Sequence, residues 1–444
     1  MQLKNYYLKI TKNLDSSKFL RFFLYMLIFF QPFNGFNSFR EIGFYGLIIF
    51  FIIKISRERT INIDFRDKTI VALFLLVAWS ILTSILGPYP LDSLNILRKN
   101  LLVQVLIFLV IITEFKSYNE LRTLFLIVVM SFIVVTIASL LENLSDLMNL
   151  KMDLYALQSK RTHKMFIGGF ASNATFYLPF IAVWLAALNE PIWKKWIGKI
   201  TLLLGLITVF IYNSRTSLIA IFFAFFIILL LSKKYKLLII SLTVIILSTS
   251  IAYSLKPAAF SKYKTLANFK TYISNEGLSN RFGVWQGALH IIRERPFTGY
   301  GYGWKKMAWA ARDLNLEEYW KEHYPHIYAY YVDEAHLSYG RVNPHNLILQ
   351  IVFEIGLIGL GIFLWFWTTI IFKILRATFS QQRSQIKDFM KYSIGILISY
   401  ILINITNGYW QETYGNMIFM FTASIFVIYK QSTQRIDDGK DIQF

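Results

Sequence analysis

Residues 121–141 read LRTLFLIVVMSFIVVTIASLL, an apolar block interrupted by a single charged side chain. A helix of about 20 residues covers the ~30 Å of hydrocarbon in a bilayer, so this block is long enough to cross a membrane. Similar blocks recur along the chain of 444 residues, of which 55% are hydrophobic and only 16% are charged. A soluble domain carries about a quarter charged residues. The sequence therefore predicts a membrane protein with many spans.

The spacing of the blocks predicts an all-α polytopic membrane protein with about 12 transmembrane helices. The expected spans are 18–34, 42–55, 69–87, 100–114, 121–141, 167–188, 196–212, 216–232, 235–253, 346–373, 388–407 and 413–430. They divide the chain into an N-terminal bundle of about nine helices (1–253), a long loop (254–345), a C-terminal group of about three helices (346–430) and a tail (431–444).

Lysine and arginine in the short connections predict the orientation, because the cytoplasmic loops of membrane proteins are enriched in them. With the N-terminus inside, the inner connections hold basic clusters such as 194–199 and 233–236. The outer connections are poorer, with Arg40 in one and Arg98 and Lys99 in another. This bias predicts that both termini are cytoplasmic and that the long loop lies outside the cytoplasm.

The formal net charge of +20 fits this topology and an attraction to anionic lipids. Nucleic-acid binding is the competing interpretation, but the basic residues flank the spans and form no single patch. The absence of cysteine excludes disulfides, thiolate metal sites and cysteine nucleophiles. No Walker sequence and no acidic or histidine cluster with metal-ligand spacing occurs, so neither a metal nor another cofactor is expected.

The long loop is unusual because unstructured connections of this length are uncommon without a function. Ser279 or Asn280 is a candidate N-cap. After it, Phe282, Trp285, Leu289 and Ile292 recur at helical spacing, which predicts an amphipathic helix on the membrane surface or on the bundle. The glycines of the following turn, 299–303, lack the strand and helix of a nucleotide-binding fingerprint and predict a flexible turn.

Three side chains are candidates for chemistry at the outer boundary. His345 precedes an apolar span, and its imidazole can take a proton from a hydroxyl group. Arg215 lies in a tight outer hairpin, and Arg281 begins the amphipathic helix, where guanidinium and free amide groups suit a phosphate. The alternatives are a helix-capping or passive histidine, an arginine that snorkels to the headgroups, and a solvated surface arginine.

An ordered set of motifs resembles the O-antigen ligase and polymerase superfamily. The motifs are Ser214-Arg-Thr216, Arg281-Phe-Gly-Val-Trp285, Pro296-Phe-Thr-Gly-Tyr-Gly301, His345-Asn346 and Glu354-Ile-Gly-Leu-Ile-Gly359. The resemblance covers mainly residues 200–373. Members of this family are membrane glycosyltransferases that move a glycan from undecaprenyl diphosphate to an acceptor outside the cytoplasm.

The resemblance implies an O-antigen ligase in the bacterial inner membrane, with lipid A-core as acceptor and a site facing the periplasm. Arg215 and Arg281 match the arginines that hold the diphosphate, and His345 matches the histidine that activates the acceptor hydroxyl. Trp285 and Asn346 stand in the same motifs and are expected to contact substrate. Lys160 and Arg161, in another outer connection, are expected to add basic contacts to the donor.

Other functions remain open at this stage. A polymerase of the same superfamily needs the same donor chemistry, so the motifs do not separate it from a ligase. A protein oligosaccharyltransferase is a third variant, although it usually carries extra soluble sequence. A lipid-linked glycan flippase or another transporter is disfavoured, because no internal repeat is visible and most spans lack charged groups.

Overall fold

The computed structural model describes residues 15–58, 63–149, 169–212, 214–255, 281–337, 342–379 and 385–437. All regular elements in these ranges are helices, as the sequence predicts. Within these ranges, ten helices precede the long loop: α1 Ser16–Phe29, α2 Asn37–Glu58, α3 Lys68–Leu86, α4 Pro90–Lys99, α5 Leu101–Glu114, α6 Tyr118–Asn149, α7 Phe170–Ala187, α8 Ile192–Tyr212, α9 Arg215–Leu231 and α10 Tyr235–Leu255. The loop and the C-terminal part contain α11 Arg281–Ile292, α12 Met307–Asp313, α13 Leu316–His323, α14 Pro325–Tyr328, α15 Glu334–Leu337, α16 Leu347–Thr378, α17 Gln385–Ile405 and α18 Glu412–Asp437.

Within the described residues, 7 helices are long and apolar enough to cross a membrane. They are α3, the α4–α5 pair, α6, α7, α8, α16 and α17. The shorter apolar helix α9 covers another expected span. Each of the other expected spans also coincides with part of a helix, but the total of about 12 spans remains a prediction.

Aromatic side chains connect the helices at the centre of the bundle. The rings of Phe125 on α6 and Phe389 on α17 stack with their centroids 5.3 Å apart. Phe180 on α7 meets the same Phe125 ring edge to face at 5.3 Å. All three side chains are fully buried, so three helices that are distant in sequence share one core.

Helix α16 is broken at Gly356, whose φ of 71° and ψ of −179° are not helical. The break leaves backbone groups without their usual partners within the helix, and the turn after α11 binds to them. Tyr300 N donates to Phe353 O at 2.8 Å, and Leu357 N donates to Pro296 O at 2.8 Å. From α3, Trp79 Nε1 donates to Ile355 O at 2.8 Å. The long loop is therefore joined to the bundle by backbone hydrogen bonds in the middle of α16.

The glycines of this turn do not form the flexible connection that the sequence predicts. A Cβ on Gly299 would lie 2.6 Å from Phe353 O, and one on Gly301 would lie 2.5 Å from Ser93 Oγ. Glycine is therefore required because the turn packs tightly against α4 and α16.

The amphipathic helix is present as α11, but its packed face differs from the expected one. Phe282 and Leu289 are about half exposed, whereas Val284, Ala288 and Ile291 are buried. The reason is that the loop approaches this face closely at Gly283 and Gly287. A Cβ on Gly283 would overlap His326, and one on Gly287 would overlap Ile327 and Tyr331. The candidate N-caps Ser279 and Asn280 lie outside the described residues.

We predict that Gly356→Ala destabilises the protein by at least ~2 kcal/mol, because an L side chain is strained at this φ and its Cβ would overlap Phe297 O. Gly361→Ala on the same helix is the matched control. It has no atom within 4 Å of the added Cβ and should be neutral or stabilising by ~0.5–1 kcal/mol. Thermal unfolding of both purified variants in detergent measures the difference, and equal Tm values would contradict the role of the break.

Candidate functional site

His345 lies at the end of the long loop, immediately before α16. Its φ of 51° is in the left-handed region, which is uncommon outside glycine and is often found at functional positions. Its N–H donates to Asn343 Oδ1 at 2.7 Å, which fixes the turn. The cap of α16 is Asn346, whose Oδ1 accepts from Leu349 N at 3.1 Å. The half-buried imidazole is therefore not needed as the helix cap.

Tyr330 connects His345 with Arg281. It lies in a single π-helical turn, Ala329–Asp333, and its hydroxyl donates to Asn343 O at 2.7 Å. Its ring centroid is 6.4 Å from that of His345. Burial raises the pKa of Tyr330 to about 12, while the nearby positive charge of Arg281 acts in the opposite direction. The structure thus brings Arg281 and His345, which are far apart in sequence, near the same phenol.

Tyr409 is a second tyrosine under the influence of Arg281. Its hydroxyl is hydrogen-bonded to Ser172 Oγ at 2.7 Å, and its N–H donates to Asn404 Oδ1 at 2.6 Å. Burial raises the pKa of this phenol, and the charge of Arg281 lowers it. Arg281 is therefore close enough to influence two tyrosines that the sequence does not indicate.

Arg215 is the first residue of α9, as its motif predicts. The adjacent Thr216 is hydrogen-bonded through its Oγ1 to Thr406 Oγ1 at 3.4 Å. One residue earlier, Ile405 O accepts from Asn346 Nδ2 at 3.1 Å. The start of α9, the end of α17 and the start of α16 consequently meet at one end of the bundle.

The substrate-binding candidates divide into two groups. Trp285 lies one turn after Arg281 on α11, and its buried indole N–H has no acceptor among the described residues. Asn346 is adjacent to His345 and holds α16 to α17. Lys160 and Arg161 lie outside the described residues, so their role stays a prediction.

A cavity of about 920 Å³ opens next to Tyr409. This volume is at the upper end of the ~300–1,000 Å³ of typical small-molecule sites. Tyr409 and Ser172 form part of its wall. Tyr409 therefore links the wall of the cavity with the surroundings of Arg281.

A network of buried polar groups connects Glu354 with the segment that carries Tyr409. Glu354 accepts from Gln350 Nε2 at 2.8 Å and from Gln411 Nε2 at 2.6 Å. Lys306 is fully buried and donates to Gly301 O at 3.0 Å, to Tyr302 O at 2.9 Å and to Ser93 Oγ. Burial lowers the pKa of Lys306 to about 8, against the opposing effect of the Glu354 charge. The motifs include Glu354, but nothing in the sequence indicated its partner.

The arrangement combines an imidazole, guanidinium groups and phenols, and one of these phenols, Tyr409, also lines the cavity. Among the described residues, no group of three or more histidine and acidic side chains is arranged to hold a metal ion. The imidazole can transfer protons, and the guanidinium groups can bind anions.

Comparison with known proteins agrees with the motifs. Residues 200–364 match the family described as O-antigen ligase. Over 179 residues, the chain is 28% identical to a Rickettsia conorii protein that carries the provisional name polysaccharide ligase, an alignment that covers 40% of this chain and 37% of that protein. The matched region contains Arg215, Arg281, His345 and the broken part of α16. The family that the motifs predict is thus confirmed over residues 200–364, where the chain carries an O-antigen ligase domain.

Proposed function

We propose that this protein is a membrane glycosyltransferase that transfers a glycan from undecaprenyl diphosphate to a sugar hydroxyl of lipid A-core, at the periplasmic face of the inner membrane. The observation that carries the proposal is the convergence of Arg281 and His345 on Tyr330, at the bundle end where α9 begins with Arg215. All of these residues lie within the O-antigen ligase domain. A glycosyl transfer of this kind needs groups that bind a diphosphate next to a group that removes a proton.

The proposed reaction is a single displacement. The acceptor hydroxyl gives its proton to the neutral imidazole of His345, and its oxygen forms a bond to the anomeric carbon of the donor glycan. The bond between that carbon and the diphosphate oxygen breaks, and undecaprenyl diphosphate leaves with the electron pair. Attack from the face opposite the leaving group inverts the anomeric configuration.

The arginines act on the leaving group. Negative charge grows on the diphosphate as it departs, and fixed guanidinium groups stabilise that charge more in a water-poor cleft than in bulk solvent. Arg215 and Arg281 present N–H donors in a planar arrangement that matches phosphate oxygens. In this proposal they perform the charge stabilisation that a divalent metal performs in many enzymes that use nucleotide sugars.

Tyr330 and Asn343 hold the base. The hydrogen bond from Tyr330 to Asn343 O and the bond from His345 N to Asn343 Oδ1 fix the backbone on which the imidazole stands. A base held in this way loses little freedom when the acceptor binds.

We predict that His345→Ala lowers the rate of glycan transfer ~10²–10⁴-fold, because the general base is lost. The measurement is transfer of a labelled glycan in proteoliposomes that contain the purified protein. His323→Ala is the control, because His323 is an exposed histidine of the same loop, bonded to Tyr319 O. A His345→Ala variant that is as active as the control would refute the assignment.

Arg281→Gln is expected to lower kcat ~10²–10³-fold through the loss of charge stabilisation. Arg281→Lys should recover only part of this activity, since an ammonium group lacks the bidentate geometry of a guanidinium. Arg293→Gln, at an exposed position just beyond the same helix, removes an equal charge and should leave kcat unchanged. If Arg281→Gln raised KM without changing kcat, Arg281 would have no specific role in the transition state.

The glycolipids of a deletion strain distinguish the ligase from a polymerase of the same superfamily. Loss of a ligase should leave the full-length glycan on undecaprenyl diphosphate, with unsubstituted lipid A-core. Core that carries a single repeat would instead indicate a polymerase. Complementation with the wild-type chain, but not with His345→Ala, completes the experiment.

A further inference from the structure

Among the residues that the structure describes, four positively charged side chains line the cavity next to Tyr409. They come from three separate parts of the chain: Arg40 from the start of α2, Arg98 and Lys99 from the end of α4, and Lys305 from the turn before α12. Glu41 and Glu412 also line the cavity, so four cations stand against two carboxylates. The cavity therefore carries an excess of positive charge.

The contacts of these cations leave charge available to a ligand. Arg98 is exposed and donates to two neutral oxygens, Tyr45 Oη and Asn95 Oδ1, each at 3.3 Å. Arg40 donates to Thr413 Oγ1 at 3.2 Å. Lys305 forms an ion pair of 3.4 Å with Glu412, in which both side chains are substantially exposed. Exposed pairs of this type are weak and exchange readily for another anion.

The position of these cations needs an explanation beyond topology. Positive charge is depleted in the outer connections of membrane proteins, and Arg40, Arg98 and Lys99 occur in connections predicted to be outer. The end of a helix favours cations, which accounts for Arg98 and Lys99 on α4. It does not account for Arg40 and Lys305, which come from other elements and line the same space.

The neutral lining has groups that suit sugars. Gln31, Asn37, Asn100 and Asn173 provide amides that both donate and accept hydrogen bonds. Trp304 and Tyr409 provide aromatic rings in the same cavity. Amides satisfy hydroxyl groups, and aromatic rings pack against the apolar faces of pyranose rings.

We propose that this cavity binds a negatively charged saccharide, that is, a glycan that bears phosphate or carboxylate groups, and orients it beside Tyr409 and Arg281. The inference rests on the proposed function, because it identifies the class of glycan that the transfer reaction uses. The charged glycan is either the acceptor core or the sugar chain of the donor, and both present the same anionic groups to the cations.

The test is a binding titration on the purified full chain in detergent. The probes are phosphorylated lipid A-core and the same glycolipid after enzymatic removal of its phosphates. The wild type should bind the phosphorylated probe about tenfold more tightly, since two partly exposed charge contacts contribute modestly. The preference should decrease at high salt.

The double variant Arg98→Gln/Lys99→Gln should lose the preference. The double variant Arg312→Gln/Lys321→Gln is the matched control, because it removes the same net charge from exposed positions outside the cavity. Lys99→Gln alone, at an exposed position, provides the test if the first double variant does not fold.

Two transfer assays identify which substrate, the acceptor or the donor, carries the negative charge that the cavity binds. One pairs a phosphorylated acceptor with a neutral donor glycan, and the other pairs a dephosphorylated acceptor with an acidic donor glycan. A higher KM of the Arg98→Gln/Lys99→Gln variant in either assay supports the proposal and names the substrate. Unchanged KM values in both assays, or an equal loss of binding in the control variant, would overturn it.

In this design, a loss of glycan binding and a loss of glycan transfer can be told apart. His345→Ala should retain the preference for the phosphorylated probe, because the histidine does not line the cavity. A wild type that binds this probe selectively but transfers no glycan would refute the proposed function and leave the binding site intact.

Discussion

The docking of the Pro296–Gly301 turn into the broken helix α16 is the interaction on which the rest of the structure depends. A helix that lacks backbone hydrogen bonds at membrane depth is stable only where other groups replace them. Here Tyr300, Pro296 and Trp79 supply those replacements. These replacement hydrogen bonds can form because Gly356 has no side chain at the point where the turn packs into the helix. The long loop is consequently attached to the bundle by a part of its own backbone.

This attachment determines where the candidate site forms. The turn continues into Lys306, whose buried ammonium group interacts electrostatically with Glu354 on α16. Glu354 in turn binds Gln411, which precedes the left-handed residue Glu412 and follows Tyr409 by two positions. One network of polar contacts thus connects the docked turn with the segment that forms a wall of the cavity. Buried ions of this kind gain little stability, but they do fix the geometry of the groups that satisfy them.

The sequence predicted the elements of this protein better than their contacts. Long apolar blocks locate the helices, because the thickness of the bilayer leaves few alternatives. The order of the motifs identified Arg281 and His345 as candidates. Nothing in the sequence indicated Tyr330, because a hydrogen bond to Asn343 O depends on the path of the loop. The packed face of α11 differs in part from the expected one for a related reason: Gly283 and Gly287 allow the loop to approach closely, and a hydrophobicity pattern does not register glycine.

Positive charge in connections that are predicted to be outer is common to the two sites. The positive-inside tendency acts on every connection, so a cation that remains outside needs a compensating function. Arg215 and Arg281 meet this condition if they hold a diphosphate, and the cations of the cavity meet it if they hold an anionic glycan. Tyr409 belongs to both regions, because the charge of Arg281 acts on its phenol and the residue lines the cavity. A charged glycan bound between them would keep its reacting end near His345, so the same electrostatic attraction that concentrates the substrate also orients it.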